Sequence, residues 1–158
     1  MNNGLYIRLY LMKVWIVVLF CFLPLGNATA TNTPEGITIF SLNSDFSPLS
    51  KSKARMLYKG KVKKLSGNNN FVLLDLPKSS KIRKTFYKSL LGKSVSQMNG
   101  YWASLSFSGK GVPPEEINND NIDTVIQWLK NNPDGIAYAP SDLVPENANI
   151  LFTILQGE

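Results

Sequence analysis

The chain has 158 residues, with 17 Lys and Arg against 11 Asp and Glu, one cysteine and no histidine. Without histidine, zinc, haem and copper centres lose their usual ligands, and a nucleophile activated by an imidazole is excluded. The one cysteine, Cys21, lies near the N-terminus, so the rest of the chain has no disulfide and no thiol chemistry. No spacing of Asp and Glu suggests a calcium or magnesium loop.

The first thirty residues read as a secretory signal peptide. Arg8 and Lys13 give a positive start, Val14 to Leu25 is an almost unbroken apolar run, and Ala28-Thr29-Ala30 is a small-x-small cleavage site. The run is twelve residues long, against about 20 for a helix that spans a bilayer. Cleavage after Ala30 predicts a single domain over residues 31–158, periplasmic or secreted, long enough for a sizeable core.

Charge divides this domain. From Lys51 to Lys93 there are thirteen Lys and Arg and one acid, Asp75; from Gly111 to Glu158 there are eight acids and one base, Lys130. Such a division gives solvated helix faces, or a basic face for an anion or for anionic headgroups. Export argues against nucleic acid as partner. The acidic half could also meet the basic half of a second copy, so the chain is expected as a monomer or a weak dimer.

In chain order, Ile37 to Leu42 is β-branched and apolar and predicts a strand. Asn43 to Pro48 is a polar loop, and Ser50 caps a short helix through Tyr58 that Gly60 ends. Lys61 to Asn70 is a basic connection. Phe71-Val72-Leu73-Leu74 shows no polar alternation, the pattern of a strand covered on both faces. Ser80 caps a helix with Ile82, Phe86 and Leu90 on one face, ended by Gly92. Ser94 opens the next, with Val95, Met98, Trp102 and Leu105 in phase. Ser108 to Pro114 is a Gly/Pro loop.

Asn119 or Asp120 then caps a helix carrying Ile122, Val125, Ile126 and Leu129, with Lys130 in its last turn and Pro133 beyond. Trp128 falls off that stripe and is expected partly exposed, whereas Trp102 is expected in the core. Gly135 to Tyr138 and Asn149 to Leu155 are strands, and the Tyr138 hydroxyl is expected near a strand end. Strands alternating with helices make an α/β domain, a short mixed sheet flanked by about four helices.

One feature of this arrangement suggests chemistry. A strand ending at Leu74 feeds a loop, and a helix starts at Ser80. Free backbone N–H groups and a hydroxyl then stand at the C-terminal edge of a sheet, where helix starts favour anions and open α/β sheets hold ligands. Ser79 and Ser80 are candidate donors, and Lys78, Lys81 and Arg83 add positive charge. The bland alternative is a capped helix with a basic surface. Other matches fall away: Gly92-Lys93-Ser94 resembles a phosphate-binding loop, but Tyr87 stands where that loop needs glycine. Ser50 and Lys53 lack the companion motifs of a serine–lysine enzyme. With no His and no available Cys, and no paired carboxylates, no catalytic residue and no cofactor is expected.

The ordered set of short motifs resembles small secreted proteins of the phosphate-binding type, relatives of the substrate-binding component of phosphate ABC transporters. Asp75, Pro77, Ser80, Arg83 and Phe86 stand in that register. Leu91-Gly92-Lys93-Ser94, Tyr101-Trp102, Phe107 to Pro114, and Asn132-Pro133-Asp134-Gly135-Ile136-Ala137-Tyr138 follow in order. The resemblance implies a single lobe like one domain of a type 2 periplasmic binding protein. It also implies a non-enzymatic binding role, with phosphate or a similar oxyanion as ligand and a transporter or other envelope protein as partner. Two departures stand out. The family's phosphate-gripping Arg falls at Leu76, and the Gly-Thr after the Ser becomes Lys81-Ile82, which removes the strongest bidentate donor. The alternative implied by that loss is a fold-retaining interaction module that docks a protein or an anionic membrane through residues 51–93.

Overall fold

A computed structural model describes residues 36–66 and 70–155. The expected signal peptide and part of the basic connection after Lys61 lie outside the described residues. Residues 32–158 form one compact unit, and the core, from Ile37 to Ile154, is drawn from within it.

Two fully buried strands form the centre. β1 (Gly36–Ser41) and β4 (Gly135–Pro140) are buried at every position, which explains their lack of polar alternation. They pair antiparallel with Ile39 opposite Tyr138. β2 (Val72–Asp75) runs parallel to β4, Leu73 opposite Ile136. A two-residue strand, β3 (Glu115–Glu116), runs parallel to β2 and sets Asp75 opposite Glu116. β5 (Asn149–Leu155) pairs antiparallel with the other side of β1. The mixed sheet therefore has the order β3-β2-β4-β1-β5. β2 was expected to be covered throughout; Leu73, Leu74 and Asp75 are buried, but Val72 is 41% exposed because it sits at the strand's open end.

Four α-helices flank this sheet among the described residues. In α1 (Lys51–Leu57) the Ser50 hydroxyl accepts the Lys53 N–H. α2 (Lys81–Phe86), capped by Ser80, runs on into a π-helical turn over Tyr87–Leu91 that Gly92 ends at φ +66°. α3 (Val95–Phe107) opens with a capping box made by Ser94 and Gln97. α4 (Ile122–Asn131) is capped by Asn121, slightly later than the expected Asn119 or Asp120, because Asn119 instead accepts the Asn121 N–H. No described helix is long and apolar enough to cross a membrane.

The helices dock through aromatic rings. Phe86 stacks on Tyr138 at 3.8 Å between centroids, and Tyr58 meets Phe86 edge-on at 4.7 Å. Trp102 is buried as expected. Trp128 departs from expectation: it is only 8% exposed. Its ring lies over Gly135, where a Cβ would stand 2.8 Å from it, so the missing side chain at the start of β4 makes room for the indole.

Gly60 does similar work for Trp102. Its φ is +64°, and a Cβ there would stand 2.6 Å from the indole; Gly92 has φ +66° with nothing within 4 Å. Alanine at either site carries the left-handed strain, about 1–2 kcal/mol. Only Gly60→Ala must also push Trp102 aside, an overpacking cost of about 1–3 kcal/mol more. Urea denaturation of the two variants measures the difference, and equal midpoints would mean the indole yields freely.

Candidate functional site

The strand–turn–helix that the sequence singles out is present. β2 ends at Asp75, residues 76–79 turn with the Ser80 N–H donating to the Pro77 carbonyl at 2.9 Å, and α2 begins at Lys81. The five candidate residues split into two groups. Lys78, Ser79 and Lys81 are exposed. Ser80 and Arg83 are 5% and 4% exposed. The Ser80 hydroxyl accepts the Arg83 N–H at 3.3 Å, so it acts as the helix cap.

Arg83 turns inward. Its Nη2 lies 2.8 Å from Asp75 Oδ2 and donates to Asn99 Oδ1 at 3.1 Å. Its Nη1 donates to Glu116 Oε2 and to the Leu76 carbonyl, both at 2.7 Å. The guanidinium bridges two carboxylates that the β2–β3 register sets side by side, and that neighbourhood would be repulsive without it. An anion arriving from solvent finds this fork already occupied.

Asp75 is the centre of the buried network. Besides Arg83, it accepts from the hydroxyls of Tyr87 and Tyr138, and from the Leu76 N–H at 3.0 Å. The Tyr138 hydroxyl thus stands at the end of β2, near a strand end as expected. Burial pushes the Asp75 carboxyl above the usual carboxylate range, against the pull of Arg83 and the two hydroxyls. Burial also raises Tyr58, Tyr87 and Tyr138, and the neighbouring Asp75 charge raises them further.

Sequence reasoning missed Tyr87, Asn99 and Glu116. One signal was available: Asp75 is the only acid within a long basic stretch and follows an apolar strand, so it needs a buried cation. Nothing local marks Glu116 or Asn99, which reach the site through tertiary packing. Among the described residues no three His, Cys, Asp or Glu side chains converge as a metal cluster.

No family model and no curated protein matches the sequence. The fold does have a counterpart among solved structures. An ABC-type phosphate transport receptor from Vibrio cholerae superposes with a TM-score of 0.51 at 12% identity, over 73% of this chain. The chain spans 45% of that receptor's length. The five-stranded mixed sheet with its four helices is thus the fold of a single lobe of a periplasmic binding protein, as the motifs implied.

Two expectations follow from the network. Arg83→Ala leaves Asp75 buried without its cation and should cost about 3–5 kcal/mol of stability. Arg83→Lys should not restore it, because an ammonium cannot serve the same planar set of acceptors. Denaturant unfolding of residues 32–158 checks both. The buried tyrosines set an alkaline limit. With folded-state values above 10, the native protein keeps protons that the unfolded chain releases, so stability is intact below about pH 10 and falls as pH rises beyond it. The slope is about 1.4 kcal/mol per pH unit for each such tyrosine. Unfolding midpoints across that range measure it; a flat profile would contradict the burial of these hydroxyls.

Proposed function

We propose that the protein is a secreted, non-enzymatic solute-binding protein that holds phosphate or a similar oxyanion, weakly, at the turn ahead of α2. One observation carries this reading. The turn at the C-terminal end of β2 exposes Lys78, Ser79 and Lys81 together, on a stretch (residues 76–114) without a single Asp or Glu. The lobe fold shared with a phosphate transport receptor supports the same reading. In it, Ser80 and Arg83 hold the turn, while the exposed lysines and Ser79 meet the ligand. Lysine is a compact point charge without the planar fork of arginine. Affinity is therefore expected at about 1 mM or weaker, some 4 kcal/mol of binding free energy. A transporter or another envelope protein would be the partner that receives the ligand.

A second reading is favoured by the occupied state of Arg83. With its guanidinium engaged by Asp75, Glu116, Asn99 and the Leu76 carbonyl, the lobe needs no external anion. The chain is then an interaction module that docks through the basic half, residues 51–93.

Calorimetric titration of residues 32–158 with phosphate, and with sulfate as control, at low and moderate salt separates the two. The first reading expects weak, saturable, phosphate-selective heat that survives added salt. It also expects loss of that heat, with unchanged melting, in the triple variant Lys78→Ala, Ser79→Ala, Lys81→Ala. Undiminished heat in the triple variant sinks the site. Equal heats for both anions that vanish with salt favour the interaction module.

A further inference from the structure

The two most exposed large apolar side chains among the described residues lie on one short segment. Phe107 is 98% exposed and Val112 is 86% exposed; the next, Leu155, is 56%. Phe107 is the last residue of α3, and the chain then turns through Gly109 at φ +66°. The turn is built and held. The Gly109 N–H donates to the Ser106 carbonyl at 3.0 Å, and the Lys110 N–H to the Leu105 carbonyl at 2.9 Å. Gly111 rests on Leu105 and Trp102, so close that a Cβ there would stand 3.0 Å from the leucine. Phe107 and Val112 are therefore presented to water by a fixed scaffold.

Two lysines border this tip. The Lys63 ammonium donates to the Lys110 carbonyl at 3.2 Å, and Lys63, Lys110, Val112 and Pro113 border one groove. Lys61 precedes Lys63 by two residues and is exposed. The Tyr101 hydroxyl of α3 donates to the Lys59 carbonyl at 2.7 Å, which ties this lysine-rich segment to the helix that bears the tip. Neither residues 51–66 nor residues 95–114 contain an acid. The first acids beyond the tip are on β3, where Glu116 is paired with Arg83.

We infer that this tip is a docking device for an anionic bilayer surface, with Phe107 and Val112 entering the acyl boundary and the lysines meeting lipid phosphates. The inference deepens the second reading above, from which it takes the charge of residues 51–93; it needs no anion at the start of α2. Two features favour a bilayer over a protein. A stable protein interface covers about 800 Å² per partner and is depleted in lysine, whereas this surface has two apolar side chains on a tip bordered by Lys63 and Lys110. A bilayer asks only for apolar side chains that can insert and cations that can stay at headgroup level.

Co-sedimentation of residues 32–158 with phosphatidylcholine vesicles, plain or with about one-third phosphatidylglycerol, tests this. The wild type should pellet with the anionic vesicles and stay in solution with the plain ones. The double variant Phe107→Ser, Val112→Ser should partition about tenfold less strongly or worse, with unchanged melting and an unchanged phosphate titration. Charge reversal at Lys61, Lys63 and Lys110 should also release it. Equal pelleting of wild type and double variant would overturn the tip while leaving docking by charge in place. No pelleting of the wild type with anionic vesicles would overturn membrane docking altogether and turn the search to a protein partner.

Discussion

The buried ion pair of Asp75 and Arg83 is the constraint on which the arrangement of the lobe depends. Burying two charges costs several kcal/mol for each ion, and a dense set of partners offsets much of that, although the buried Arg83 Nε has none among the described residues. Here the partners come from separate parts of the chain: Tyr138 from β4, Tyr87 from the π-helical turn, Glu116 from β3 and Asn99 from α3. If any of these elements is misplaced, a buried charged group loses one of its hydrogen bonds. The network thus rewards one topology over its competitors. It explains why a strand as short as β3 is kept at the sheet edge: Glu116 must reach Arg83.

The same network sorts the cations of a basic chain. The two arginines among the described residues differ: Arg83 is buried, whereas Arg55 is exposed and reaches in to one backbone carbonyl. Arg83 bridges two carboxylates, and Arg55 donates its Nε to the Leu90 carbonyl at 2.7 Å, joining α1 to the π-helical turn. Lysines carry most of the surface charge. This division follows from chemistry, since the weakly hydrated planar guanidinium tolerates burial with several acceptors while an ammonium prefers water. It gives a surface suited to loose contact with anions, spread over a face and not gathered into a fork.

Much of the fold was legible in the sequence because its signals are local. Ser50, Ser80 and Ser94 each cap the helix they precede, and Gly92 ends one in the left-handed conformation. β1, β4 and β5 are apolar enough to identify without tertiary information. What stayed hidden is non-local. Glu115-Glu116 has nothing of a strand in its composition and becomes one by lying beside β2. Trp128 looks exposed on a helical wheel, and is covered because Gly135 leaves space beneath it. The π-helical turn over Tyr87–Leu91 has no sequence marker, yet it presents Tyr87 to Asp75. At the candidate site, the surface residues of the turn were legible as such; the inward course of Arg83 was not, because its acceptors come from Asn99 and Glu116 as well as Asp75.

The strand order also bears on the timing of folding. β1 is the first described strand in the chain, and its two neighbours, β4 and β5, are the last two. Thr38 on β1 and its hydrogen-bond partner Ser141 are 103 residues apart. As the chain emerges from the ribosome N-terminus first, β1 has no sheet partner until nearly all the rest has been made. Non-local pairing of this kind folds slowly compared with local helical contacts. A domain built this way cannot close its sheet until its synthesis is nearly complete.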